Sequence, residues 1–217
     1  MFIGHLGLSL AAKKVAPKVS LGTLFIATLF VDILWPFLLL FDVEKVAIIA
    51  GYTKSNPLEF LYFPYTHSLL MGAVWGAVAG AIYWLWKRDT QSAIVIGICV
   101  LSHWFFDLVV HTADLPLTPF SDYKVGFGLW NNLAVELTIE SIIFLAGVYI
   151  YASFTKVQNK IGKWGFGSLV VFLLAFQFSA PFSPPPASIM ILSVSATIMS
   201  ALIIALAYWI DKNRELA

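Results

Sequence analysis

The sequence predicts an all-α protein, a polytopic bundle of transmembrane helices that forms a single integral membrane domain over residues 1–217. Hydrophobic residues make up 60% of its 217 positions and charged residues only 12%, whereas about a quarter of the residues in a soluble domain are charged. The mean hydropathy is +0.87. Five or six apolar stretches are long enough to cross a hydrocarbon core about 30 Å thick.

The helices that cross the membrane can be placed from these stretches. Each holds close to the roughly 20 apolar residues that a membrane-spanning helix needs, and the fifth is the shortest. The stretch SAPFSPPPAS between the last two predicts a tight turn, because consecutive prolines cannot continue a helix. The predicted spans lie near residues 21–41, 65–86, 92–112, 133–152, 164–180 and 188–210.

The first twelve residues, MFIGHLGLSLAA, predict a short helix that is either amphipathic at the membrane surface or half-inserted. Lysines follow this stretch at Lys13, Lys14 and Lys18, whereas a secretory signal carries its positive charge in front. We therefore expect the segment to remain in the mature protein.

The distribution of lysine and arginine predicts how the bundle is oriented. With six spans, the three basic residues on one side are Lys45, Lys54 and Lys124, and the ten on the other are Lys13, Lys14, Lys18, Lys87, Arg88, Lys156, Lys160, Lys163, Lys212 and Arg214. Because basic loops stay in the cytoplasm, we predict a multi-pass protein of the cytoplasmic (inner) membrane with both termini cytoplasmic. The long loops at 42–64 and 112–132 then lie outside.

The net charge, the cysteine content and the tryptophans limit the expected partners and the kinds of site the protein can have. A formal net charge of +1 gives no general attraction for nucleic acid, so membrane lipids are the expected partners; the oligomeric state stays open. The single cysteine, Cys99, cannot form an internal disulfide or a thiolate metal site. Tryptophans near span ends predict an interfacial aromatic belt: Trp84, Trp86, Trp130, Trp164 and Trp209.

Acidic residues and histidines inside the predicted spans are the candidate functional residues. A charged side chain in hydrocarbon costs at least ~2.5 kcal/mol on insertion scales, so such residues persist where they pair, bind an ion or face a cavity. All four histidines lie within or at the edge of apolar segments. The set is His5, Asp32, His67, His103, Asp107, His111, Glu136 and Glu140.

The third span carries the most informative spacing. Its sequence SHWFFDLVVH places His103, Asp107 and His111 four residues apart, so at 100° per residue they fall within an arc of about 80° on one helix face. Glu136 and Glu140 repeat the four-residue step on the next helix. We expect these two helices to line one pocket that opens outward.

Histidines with carboxylates favour zinc or another divalent transition metal as the cofactor. We predict His5, Asp32, His67, His103, Asp107 and His111 as metal ligands, and Glu136 and Glu140 as catalytic residues. His5 can join only if the N-terminal helix is half-inserted. Haem is disfavoured, because its axial ligands lie on opposed helices, whereas two of these histidines share one helix.

Several motifs resemble an uncharacterised family of prokaryotic membrane proteins grouped with the membrane-bound metal-dependent hydrolases. They are FIGHLGLSLAAK, LGTLFIATLFVDILWP, FPYTHSLL, SHWFFDLVVHTADLPL and KVGFGLWN. That family in turn resembles the zinc-dependent phospholipase C and P1 nuclease superfamily, whose all-helical sites contain an HxxxD pair. The resemblance implies a metal site at the six ligand positions, completed by Glu136 or Glu140. Where the superfamily has a further HxxxE, this chain has Asn132 with Glu136, so we do not expect a full three-metal centre.

We therefore expect a membrane-embedded, divalent-metal-dependent hydrolase of a phosphoester or lipid-linked substrate. Two alternatives stay open. In a permease or transporter, the same polar residues would bind an ion or solute at the midplane of the membrane, although the sequence shows no internal repeat. In a non-catalytic scaffold, they would only fix how the helices pack.

Overall fold

A computed structural model describes all residues 1–217 as a bundle of nine α-helices with three small two-stranded antiparallel sheets. The helices are α1 (Ile3–Val15), α2 (Leu21–Thr28), α3 (Phe30–Leu40), α4 (Pro64–His67), α5 (Leu69–Lys87), α6 (Thr90–Val110), α7 (Leu133–Phe154), α8 (Phe166–Ser179) and α9 (Ile189–Asp211). The paired strands are β1 (Lys45–Ile48) with β2 (Leu58–Tyr62), β3 (Leu115–Pro116) with β4 (Lys124–Val125), and β5 (Thr155–Val157) with β6 (Arg214–Leu216).

The predicted all-α polytopic bundle is confirmed. Five helical segments are long and apolar enough to cross a membrane: α5, α6, α7, residues 161–182 around α8, and α9. A sixth span exists if α2 and α3 count as one, although they are bent by 53° relative to each other. The break lies at Leu29, not at Pro36, which sits inside α3.

The N-terminal helix α1 is buried inside the bundle. Its 13 residues extend about 20 Å, too short to cross a hydrocarbon core of about 30 Å. Ile3, Leu6 and Leu10 are almost fully buried, and the helix packs chiefly against α7 and also against α2 and α6. Of the two predicted alternatives, the half-inserted helix fits and the surface amphipathic helix does not.

One end of the bundle, which we call the basic face, joins the lysine-rich ends of α1, α5, α7 and α9. Lys13 Nζ lies 2.8 Å from Asp211 Oδ2, and Lys18 Nζ lies 3.3 Å from Asp89 Oδ2. Strand β5 pairs with β6 there. The helix ends that the lysine count assigned to one side therefore meet, whereas the direction of the bundle in the membrane stays a prediction.

The opposite end, which we call the loop face, is formed by the connections at 41–63 and 111–132. Hairpin β1–β2 and Phe63, the residue before α4, belong to a cluster of apolar, partly aromatic side chains that also includes residues of α3 and α6. Trp130 is 8% exposed and belongs to this cluster, so its prediction as an interfacial anchor was wrong. The other four predicted anchors are exposed: Trp84, Trp86, Trp164 and Trp209.

Candidate metal centre

Four elements bring the polar side chains of the spans together beneath the loop face. Helix α3 supplies Asp32, α4 supplies His67, α6 supplies His103 and Asp107, and α1 supplies His5. His111 is the C-terminal cap of α6. All six predicted ligands therefore lie in one cluster, and all except Asp32 are buried.

Asp107 lies at the middle of this cluster and uses its two oxygens differently. Oδ1 accepts a hydrogen bond from the Met1 amine at 2.6 Å and lies 3.1 Å from His5 Nε2. Oδ2 faces three imidazole nitrogens: Nε2 of His103 at 3.1 Å, of His111 at 3.7 Å and of His67 at 3.8 Å. Oδ2 is therefore the oxygen that can share an ion with these histidines.

Asp32 completes a second set of converging atoms. Its Oδ1 lies 3.4 Å from His67 Nε2 and 3.5 Å from His103 Nε2. Asp32, His67 and His103 each offer one ligand atom within 4.8 Å of the others, and so do His5, His103 and Asp107. Both groups can hold a metal ion, and His103 belongs to both.

The histidines around Asp107 Oδ2 are each held by a second hydrogen bond on the far side of the ring. His103 Nδ1 lies 2.7 Å from the Thr28 carbonyl oxygen, and His111 Nδ1 lies 2.8 Å from Asp114 Oδ1. A carbonyl or carboxylate oxygen only accepts, so each Nδ1 carries the proton and each Nε2 is left with its lone pair. Histidines that bind metals are oriented in this way.

His67 is oriented through a hydroxyl group. Thr66 Oγ1 donates to Glu44 Oε2 at 2.6 Å and lies 2.6 Å from His67 Nδ1, so Nδ1 donates to the hydroxyl and Nε2 points to the cluster. Burial raises the pKa of Glu44, against the effect of the hydrogen bonds from Thr66 and Tyr65. The buried carboxyl group of Glu44 therefore fixes the orientation of His67 through the Thr66 hydroxyl.

Two buried nitrogens in the cluster have no hydrogen-bond partner, namely His103 Nε2 and His5 Nδ1. His103 Nε2 is close to Asp107 Oδ2 without the geometry of a hydrogen bond. A buried polar atom left unpaired costs about 1–3 kcal/mol. The His103 lone pair and Asp107 Oδ2 instead converge as two ligands of one ion would. His5 also stacks on His103, with ring centroids 3.8 Å apart.

The two glutamates of α7 differ in their surroundings. Glu140 Oε2 accepts from the backbone amides of Phe2 at 2.8 Å and Gly4 at 3.1 Å, so it holds the start of α1. Glu136 accepts from Gln177 Nε2 at 3.1 Å and from Ser55 Oγ at 3.3 Å. Both line the cavity beside the cluster.

That cavity has a volume of about 490 Å³, which is within the usual range for small-molecule sites. Asp32, His67, Asp107 and His111 form part of its wall. The Asp32 side chain is 34% exposed, whereas that of Asp107 is only 3% exposed. Asp32 is thus the ligand candidate most accessible to a bound molecule.

Some functional residues were missed from the sequence. Asp114 follows His111 by three residues in HTAD, a spacing that could have suggested its contact. Glu44 and Gln177 lie in distant elements and had no such signal. Asn132, considered in place of a missing ligand, is exposed and caps α7 by accepting from the Val135 amide at 3.4 Å.

Comparison with known proteins gives one finding at the family level. A family model described as YdjM inner membrane protein matches residues 3–183, which include all eight candidate site residues. No curated protein and no solved structure matches the chain.

Proposed function

The chain belongs to the YdjM inner membrane protein family, and from that premise we propose that it is a divalent-metal-dependent hydrolase embedded in the membrane. Its substrate is a phosphoester or a lipid-linked compound, and its metal is zinc or another divalent transition ion. The observation that carries this proposal is the convergence of imidazole nitrogens and carboxylate oxygens around Asp107 Oδ2.

The residues present fit such an ion. His67 and His103 offer Nε2 lone pairs, and Asp32 and Asp107 offer carboxylate oxygens, a mixed nitrogen and oxygen set that suits zinc. His5 and His111 lie next to these four. The unpaired His103 Nε2 supports this assignment, because an ion would satisfy it.

The residues around the cavity can be assigned roles in the hydrolysis of a phosphoester. When bound, a divalent ion would supply Lewis acidity towards a phosphoester oxygen. Glu136 lines the cavity and keeps its carboxylate in place through Gln177 and Ser55, so we assign it the proton transfer to and from water. Glu140 positions α1 and thereby His5.

The proposal is tested with purified protein, a nitrophenyl phosphodiester as the probe and added zinc. We expect turnover that EDTA abolishes and zinc restores. The Glu136→Gln variant should be slower by about 100-fold, the scale of a lost general base, with zinc content unchanged. The control is Glu215→Gln, an exposed carboxylate on β6 at the basic face.

Turnover that survives EDTA, or a Glu136→Gln variant as fast as the wild type, would contradict this function. So would zinc uptake driven by an ion gradient in proteoliposomes without ester cleavage, which instead fits a transporter.

A further inference from the structure

The cavity beside the metal cluster has two chemically different walls. One wall carries the ionisable side chains of α3, α4, α6 and α7. The other is contributed by the loop-face halves of α8 and α9 and is mostly apolar, with Phe176, Leu192, Ala196 and Met199 facing the cavity. A ligand that fills both walls must itself be polar at one end and apolar at the other.

The apolar wall comes from two helices that pack on other elements rather than closely on each other, α8 on α7 and α9 on α2 and α3. Leu173 of α8 and Ile203 of α9 are each 1% exposed and belong to one hydrophobic core. Near the end of α8, Gln177 Nε2 donates to Glu136 Oε1 of α7 at 3.1 Å, whereas α9 packs on α3. There Phe176, Ala180 and Ser195 line the cavity and are nevertheless exposed. The cavity is therefore open between α8 and α9.

Because both helices that border this opening are candidate membrane spans, we expect it to face the hydrocarbon region of the membrane. Its edges belong to residues 161–182 and to α9, the two most C-terminal candidate spans. From Leu192 to Ser200, the lining of α9 extends over about 12 Å, at 1.5 Å per residue. A polar solute would have to leave water to enter here, at a cost of several kcal/mol, whereas a hydrocarbon chain would move between two apolar environments.

We propose that the gap between α8 and α9 admits one hydrocarbon chain of a membrane amphiphile whose phosphoester head group lies at the metal cluster. The chain lies along Ala196 and Met199, and the head group reaches Asp32, the most exposed of the ligand candidates. The assignment of the head group rests on the proposed hydrolase function. The binding site for the hydrocarbon chain rests on the shape and lining of the cavity alone.

The test is photolabelling of full-length protein in phospholipid vesicles, with a phosphatidic acid that carries a diazirine in its acyl chain as the probe. Adducts are mapped by mass spectrometry, and zinc content is measured on the same samples. Ala196→Trp should fill the gap, and the control Ile198→Trp introduces the same side chain at a residue of α9 that is 54% exposed. Ala180→Trp fills the gap from the other side, in case Ala196→Trp does not fold.

We expect wild-type adducts at Phe176, Ala196 or Met199. Labelling there should fall about tenfold in Ala196→Trp and in Ala180→Trp and stay unchanged in Ile198→Trp, with equal zinc content throughout. The proposed site for the hydrocarbon chain would be overturned by adducts that are confined to the outer surface. It would also be overturned if cavity labelling stays intact in a folded Ala196→Trp or Ala180→Trp variant. If zinc is bound in such an experiment, the proposed hydrolase function is still supported although the hydrocarbon-chain site is not. If the wild type is labelled in the cavity but contains no zinc, the proposed hydrolase function is overturned and the hydrocarbon-chain site is retained.

Discussion

Asp107 divides its two carboxylate oxygens between two kinds of partner. Oδ1 is occupied by His5 and the Met1 amine, and Oδ2 faces the Nε2 atoms of His67, His103 and His111. The helical spacing of SHWFFDLVVH is sufficient to predict that Asp107 and its two neighbours on α6 share a face. It cannot predict that His67 arrives from a separate four-residue helix, because nothing local specifies how the 41–63 connection returns.

The hydrogen bond from His111 to Asp114 gives a prediction for a residue that does not reach the proposed ion. Asp114→Ala removes the acceptor that fixes His111 Nδ1, so zinc affinity should fall about 10–100-fold, the usual cost of losing such a partner. Competition with a fluorescent chelator measures the affinity. Asp122→Ala, an exposed aspartate in the same connection, should bind zinc as the wild type does. Equal affinity for Asp114→Ala and wild type would refute this role.

Helices α1 and α7 meet through glycines, and this contact sets the position of His5. A Cβ on Gly7 would lie 2.6 Å from the Ile143 carbonyl oxygen, and one on Gly147 would overlap the backbone of Gly7. Small residues allow membrane helices to approach in this way. The sequence predicted the helix but left open whether it inserts, because its length and apolar character suit both arrangements.

Gly147→Ala should therefore displace α1 and lower the free energy of unfolding by about 1–3 kcal/mol, as overpacking does, and weaken zinc retention through His5. Thermal unfolding in detergent and zinc content measure the two effects. The matched control is Gly167→Ala on α8, where an added Cβ meets no atom within 4 Å. A Gly147→Ala variant as stable as the control would mean that the close contact is not required.

The start of α6 gives a prediction on pH. The Ser92 backbone amide, hydrogen-bonded to the Asp89 cap, lowers the pKa of that carboxyl below its ordinary value of 3.8, and Lys18 acts in the same direction. A lowered pKa in the folded state stabilises the protein above the unfolded value, and this contribution is lost as pH falls through the folded value.

Asp89→Asn keeps a capping side chain but does not titrate. Its midpoint of thermal unfolding should therefore fall less than that of the wild type when pH is lowered from neutral to below 3.8. Equal losses in the two proteins would exclude Asp89 as a source of acid sensitivity.

For the whole molecule, composition was sufficient to predict the class of fold and the presence of five or six apolar helices long enough to span a membrane, because bilayer thickness fixes how long an apolar helix must be. It could not place the bend at Leu29, because the only proline of this span, Pro36, lies inside α3 and no proline marks the break. Nor could it show the gap between α8 and α9, which depends on their packing against α7 and α3.

We predict the orientation of the bundle from the lysines of the basic face, and this prediction can be tested in intact cells. Tyr123→Cys lies on the loop face and Lys160→Cys on the basic face, and both positions are exposed. A maleimide that cannot cross membranes should label only Tyr123→Cys, because basic segments stay in the cytoplasm. The native Cys99 is buried and should stay unlabelled. The reverse pattern would invert the predicted topology.

The central claim is that the buried cluster around Asp107 holds a divalent metal ion, and elemental analysis after exposure to zinc tests it most directly. Wild type, His103→Ala and Asp107→Asn are purified in detergent, and circular dichroism and thermal unfolding establish that each is folded. The account predicts that zinc remains with the wild type through dialysis and is lost from both folded variants. A folded wild type that is free of metal after this treatment would contradict it.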